Sequence, residues 1–413
     1  MRRFLRLVPA RELLALQPIR WLIISRFCSN IFFSSTTIVL FQQQRGLNFT
    51  EMFLMEAILS SGIWLADVPT SVWADRFGYR RMLILGCLFN LVGGFFFLFA
   101  YGFWLFAISN VLSGFSIACA SGCEDALLYN NLTLEVRAQQ GDAAFTLLRL
   151  TASCGFFLGL ATGSFIGAYS PTLAVAVGIV PSCCALFAAW RVRKQEVVVK
   201  EGHASEARAG FLKVIKVALQ TMRHQPILVG LEIFSSLAFP LTNAIFWFNQ
   251  PYFGRAGMAV FWFGPAMALA MGMQMFAMTR IPQLLKRLGT RIMLILSCLL
   301  PGLAYLLLTS TTQPLLVIAF VACVVIFPAW QGPLIDNELN QRIEDKARAT
   351  TLSALTLVGS LASIAVKLWI GALGDRGLTI TGIGMGTSLL LLCVLVPLIV
   401  RKPERREVEV IAR

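Results

Sequence analysis

Arg26, Asp67, Glu124, Asp125 and Arg149 are ionisable side chains set inside long apolar runs. A charge within a bilayer is costly, so such residues mark ion or proton paths or pair with one another. At about 1.5 Å of rise per helical residue, Arg26 and Arg149 fall about 9 Å from the cytoplasmic ends of their spans. Asp67, Glu124 and Asp125 fall at about 10 Å. Three acids and two bases from four helices therefore share one layer. Two chemistries fit this pattern. In one, the layer is a charge network that changes pairing with a proton, and either Asp125 or Glu124 is protonated in one state; a buried carboxylate without a partner favours its neutral form. In the other, the network is static and fully paired and only orients the helices, with Asp67 tethering the loop that follows it.

A second set of polar residues forms stripes. Glu232, Ser236, Asn243 and Gln250 fall at helical spacing, as do Arg26, Asn30, Phe33 and Thr37. Asn110 and Ser121 extend a face toward Asp125, and Gln274, Asp336 and Glu338 add polar groups further on. Phe246, Trp247 and Trp330 offer aromatic walls, although ordinary packing or an interfacial belt explains aromatics equally well. Solute sites are mostly apolar with a few polar anchors, which fits such a face. Glu56 and Lys367 each lie about 8 Å from the opposite membrane surface; they form a pair, or Lys367 snorkels to the interface and Glu56 meets water.

These residues need elements that cross a membrane. Of the 413 residues, 57% are hydrophobic and 14% charged, with a mean hydropathy of +0.74; soluble chains carry about a quarter charged residues. A span takes roughly 20 apolar residues. Spans are expected at about 20–42, 51–74, 81–101, 103–131, 143–168, 171–191, 226–250, 257–279, 291–309, 313–338, 347–372 and 379–400. Turn chemistry marks breaks at Gln42–Gly46, Asp75–Arg81, Ser170–Pro171, Gln250–Pro251, Thr309–Pro314 and Gly371–Gly377. Met1 to Ala10 is basic but lacks the apolar core of a cleavable signal.

Alternate connections hold thirty Lys and Arg residues, and the opposite side only Arg45, Arg255 and Arg376. Positive loops stay inside, so both termini are expected in the cytoplasm and the span number is even. The net charge of +14 is thereby assigned to loops beside anionic lipid rather than to nucleic acid. The ten cysteines lie in apolar stretches and read as small buried hydrophobes. His203 and His224 share one polar loop, so no metal-ligand set is expected. The chain divides into 1–192, a cytoplasmic linker 193–225 with an amphipathic piece at Phe211 to Met222, and 226–413. The fourth span ends SGCEDALLYNN and the tenth QGPLIDNELN, each followed by a charged loop, the kind of repetition left by duplicated halves.

Between the second and third spans stands DVPTSVWADRFGYRRMLI, Asp67 to Ile84. Asp75, Arg76, Gly78 and Arg80, with Arg81 beside them, resemble the Gly-x-x-x-Asp-Arg-x-Gly-Arg-Arg loop of the major facilitator superfamily. Ser71 stands for the first glycine and Tyr79 for the first arginine after Gly78. Asn110 stands where proton-coupled drug exporters of the family carry an arginine. Gly155, Gly159, Gly163 and Gly167 resemble the antiporters' glycine-rich segment without its Gly-Pro pair, and suit close helix packing. The SGCEDALLYNN segment resembles a poorly characterised bacterial branch.

The resemblance implies an all-α membrane protein with twelve transmembrane helices in two pseudo-symmetric six-helix bundles. It implies a secondary transporter working by alternating access as a monomer in the bacterial inner membrane, without cofactor. The first, fourth, seventh and tenth helices would line a central cavity; Asp75, Arg76, Gly78, Arg80 and Arg81 would gate it on the cytoplasmic side. The second and eleventh helices would pack across the boundary between halves, making Glu56 and Lys367 an outer gate. The excess of buried acids suits proton-coupled efflux of an amphiphilic or cationic compound. Arg26 and Arg149 suit proton-coupled uptake of a small organic anion instead. A non-transporting sensor or scaffold is the rival of another class. An enzyme or ATP-driven pump would need a catalytic constellation or phosphate-binding loop that the sequence does not offer.

Overall fold

The computed structural model describes residues 16–132, 134–192, 226–342 and 348–399. The linker 193–225, with its amphipathic piece at Phe211 to Met222, lies outside the described residues. Every regular element described is helical, as lipid requires of chains that must satisfy their backbone groups internally. In order they are α1 Gln17–Ser29, α2 Ile38–Gln44, α3 Phe49–Phe77, α4 Tyr79–Phe99, α5 Gly102–Ala120, α6 Cys123–Asn131, α7 Leu134–Gly167, α8 Pro171–Val177 and α9 Ile179–Arg191. Then follow α10 Pro226–Asn243, α11 Ile245–Arg255, α12 Phe263–Thr279, α13 Ile281–Ser310, α14 Pro314–Ile326, α15 Gln331–Arg342, α16 Arg348–Asp375 and α17 Leu378–Ile399. Eleven of the described stretches are long and apolar enough to cross a membrane, and a twelfth is the bent pair Gln17–Thr36 with Ile38–Gln44, at 61°.

The chain forms two compact units, Met1–Arg208 with Met258–Ala268, and Ala209–Gly257 with Leu269–Arg413. The start of the eighth span thus belongs with the first unit: Ser164 on α7, fully buried, donates to the Phe261 carbonyl at 2.9 Å.

The first span departs from the single helix expected over 20–42. After α1 the chain passes through a 3-10 turn, Phe33–Thr36, before α2. The glycine row of α7 is the reason. A Cβ at Gly159 would stand 2.5 Å from the Phe32 nitrogen, and one at Gly167 2.5 Å from Thr37 Cγ2; at Gly155 and Gly163 it would run into the carbonyl oxygens of Phe27 and Phe33. Four small positions, one per turn, let the two backbones touch. The groups freed by the bend are bonded at shorter range, Ser35 N to Phe32 O and Thr37 N to Ser34 O.

Other spans also break. The fourth is split at Ser121 and Gly122, where Gly122 takes φ +71°, and a new helix starts at Cys123. The tenth is interrupted by the 3-10 turn Phe327–Trp330. The break expected at Gln250–Pro251 is absent, because α11 runs through Pro251 to Arg255; a membrane helix tolerates the single bond that proline removes. The ninth span's helix begins at Ile281, earlier than expected, and Gly289 at φ 76° bends this amphipathic first part away from the apolar stretch behind it. In the second unit, Gly302 and Gly386 bring α13 and α17 into backbone contact.

The cysteines need one correction. Cys154, Cys183 and Cys184 are exposed on the bundle surface, while Cys87, Cys119, Cys123 and Cys298 are buried. In a bilayer an apolar residue gains nothing by turning inward, so hydropathy does not tell core from lipid face.

Candidate functional site

In the first unit, Arg26 occupies the last turn of α1 and Glu124 the first turn of α6. The break at Gly122 puts Glu124 and Asp125 at a helix N-terminus, where the peptide dipoles favour acids. Arg26 Nη1 meets Glu124 Oε2 at 2.6 Å; the Arg26 side chain is 33% exposed and that of Glu124 9%. Arg26 Nε is buried without a partner among the described residues.

The pair faces a cavity of about 380 Å³ that Asp125 and Arg149 also line. Four of the five charges expected in one layer therefore share a cavity. Asp67 does not: it is exposed toward the end of α3 and is not part of the cavity wall. The cavity holds two acids and two bases, so the expected excess of acid vanishes.

Asn30 lines the same cavity, and its Nδ2 donates to the Arg26 carbonyl at 2.8 Å. Asn110 is spent on its own helix, donating to the Phe106 carbonyl at 2.9 Å, and stands outside the cavity wall. Sequence reasoning missed Ser29, Asn90 and Ser116, which line the cavity from α1, α4 and α5. The third span was not expected to line a site at all. A lone asparagine in an otherwise apolar run was the available signal.

At the turn between the second and third spans, Gly78 takes φ 92° between α3 and α4. Asp75 accepts the Tyr79 hydroxyl at 3.2 Å, so the tyrosine replacing a family arginine is the partner of the acid. Arg80 donates from Nη2 to the Trp190 carbonyl at 2.6 Å, closing the end of α9. Arg76 lies 5.6 Å from the Phe77 ring centre, and Arg81 is exposed.

In the second unit, Glu232 is half-buried on α10, and a side chain at Gly359 of α16 would strike the Glu232 carboxylate and the Ser236 hydroxyl. Gln274 donates to the Val325 carbonyl at 3.1 Å. Trp330 is buried, edge-on to Phe327 at 5.2 Å, and its indole N–H has no partner among the described residues. Asn243 and Trp247 are half-buried, and Asp336 is exposed on α15. Glu56 belongs to the first unit and Lys367 to the second.

The profile of the Major Facilitator Superfamily matches residues 21–366. The chain belongs to the Major Facilitator Superfamily. Its long apolar helices make it a multi-pass membrane protein of that family. Among curated relatives, it is 34% identical over 118 residues to multidrug resistance protein MdtH of Salmonella typhimurium, covering 28% of each chain. It is 23% identical over 266 residues to multidrug resistance protein 2 of Bacillus subtilis, covering 61% of this chain and 62% of that one. To the D-xylose transporter of Levilactobacillus brevis it is 28% identical over 207 residues, 48% of this chain and 42% of the other. The matches thus span less than two thirds of each relative's length. In fold, the nucleoside transporter NupG superposes with a TM-score of 0.77 at 11% identity, covering 94% of this chain and all of that one. A POT family transporter in complex with 5-aminolevulinic acid superposes at 0.69 and 14% identity, covering 93% and 96%.

Proposed function

We propose that this transporter takes up a small organic anion together with a proton. The observation that carries the reading is the Arg26–Glu124 pair in a cavity whose charges balance. With Glu124 ionised, its carboxylate occupies the guanidinium. A proton on Glu124 removes the competing charge and leaves Arg26 to hold the carboxylate of a solute, with Arg149 adding a second positive charge. Proton and anion then bind together, and the empty carrier resets with the ion pair closed. Binding that is coupled in this way makes uptake follow the proton gradient. Loss of the acid excess removes the argument for a cationic solute. The Asp75–Arg81 turn serves as the cytoplasmic brace, tying the ends of α4 and α9 through Arg80, and the carrier works as a monomer.

The test is transport in proteoliposomes with an acid-outside gradient and a panel of organic anions. Anion entry with alkalinisation outside, lost in Glu124→Gln, is expected. Anion-independent pH traces, or solute leaving as protons enter, overturn the reading. The second outcome supports efflux, which the matches to two multidrug resistance proteins favour.

A further inference from the structure

We infer that Asn90 is a specificity-determining residue of the Arg26–Glu124 cavity, donating its amide N–H to a second acceptor on the transported anion. The inference rests on the anion reading above. Between Met82 and Phe99, α4 is apolar except for Cys87 and Asn90. A carboxamide there has one oxygen and two N–H donors to satisfy, and leaving them unbonded in an apolar setting is costly.

The structure divides the two ends of this amide. Ser182 on α9 donates its hydroxyl to Asn90 Oδ1 at 3.0 Å, closer than its own helix's Gly178 carbonyl at 3.3 Å. The oxygen is thereby turned to α9, and the amino group is the end left for the cavity that Asn90 lines. Other asparagines of this protein behave differently. Asn30, Asn110, Asn131 and Asn249 each donate to the carbonyl four residues back, at 2.8, 2.9, 2.7 and 2.9 Å. In Asn90 the same easy bond is not made among the described residues. Its donor is held available, opposite to the use an asparagine finds when it only satisfies itself.

A donor in the same cavity as two arginines selects anions that carry an acceptor besides the carboxylate. Sites built around a hydrogen bond reject analogues that lack the partner, because the protein group is then left unpaired. Ser182 acts as a positioning residue that fixes which end of the amide faces the solute.

The probes are benzoate and the three pyridinecarboxylates, which share shape and charge and differ by one ring acceptor at three positions. Affinity is measured by calorimetry on the full chain in nanodiscs at neutral pH. The wild type is expected to favour at least one pyridinecarboxylate over benzoate by about tenfold, the worth of one hydrogen bond. Asn90→Leu, of similar volume, brings the ratio to about one. Asn90→Asp keeps the Ser182 bond and the shape but not the donor, and also loses the preference. Ser182→Ala lowers the ratio in part and Ser182→Thr restores it. A purely structural Asn90 weakens all four anions equally and leaves the ratio unchanged, which overturns the inference. So does equal affinity of the wild type for all four, or no binding of any while other anions still drive proton flux. If no anion drives flux, the anion reading itself falls, and this one with it.

Discussion

Arg26 and Glu124, from the first and fourth spans, meet at 2.6 Å on the wall of a cavity. Removing one partner of a buried pair leaves an uncompensated charge. Glu124→Ala is expected to destabilise the first unit by about 2 kcal/mol, below the full value for buried pairs because Arg26 is partly exposed. Glu124→Gln keeps volume and hydrogen bonding, so its thermal midpoint in detergent should stay within a few degrees of wild type. Its solute-driven proton flux should fall at least about tenfold. Full coupled flux in Glu124→Gln would remove Glu124 from the coupling path.

The glycine row gives a graded prediction for stability. Gly163→Ala places a methyl against the Phe33 carbonyl, and overpacking of this kind costs about 1–3 kcal/mol. Gly94→Ala on α4 meets nothing within 4 Å among the described residues and gains about 0.5–1 kcal/mol of helix propensity. Thermal unfolding in detergent should move in opposite directions for the two.

The two neighbouring arginines of the turn between α3 and α4 should differ. Arg80→Ala loses the 2.6 Å bond to the Trp190 carbonyl and should cost about 1 kcal/mol. Arg81 is exposed, so Arg81→Ala should be neutral within about 0.5 kcal/mol. Equal midpoints for the pair would show that closing the end of α9 contributes nothing.

The loop charges predict the topology. Fusions of a cytoplasm-active reporter to either end should be active, and fusions of a reporter that needs export should be silent. Activity of the exported reporter at one end only would require an odd number of spans.

The membrane class, the number and approximate bounds of the spans and the position of the turn within Asp75–Arg81 were all legible in the sequence. Each rests on local properties: apolar run length, loop charge and a short ordered motif. The glycine row was legible as a packing face, though not its partner. Span breaks were less so. Pro251 suggested one where the helix continues, and nothing in 20–42 announced the bend at Phe33–Thr36, which comes from contact with a distant helix.

The five charges expected in one membrane layer show the limit most clearly. Depth along each span is one-dimensional and was readable. The rotation of each helix about its axis, which sends Glu124 to Arg26 and leaves Asp67 outside, is set by packing between segments far apart in the chain. Asn90 was passed over for the same reason: its meaning lies in Ser182, on another span. The sequence alone determined that this chain crosses the membrane many times and carries charges within it. Only the tertiary structure decided which of them face one another, because side-chain direction depends on helix rotation and helix rotation on all neighbours at once.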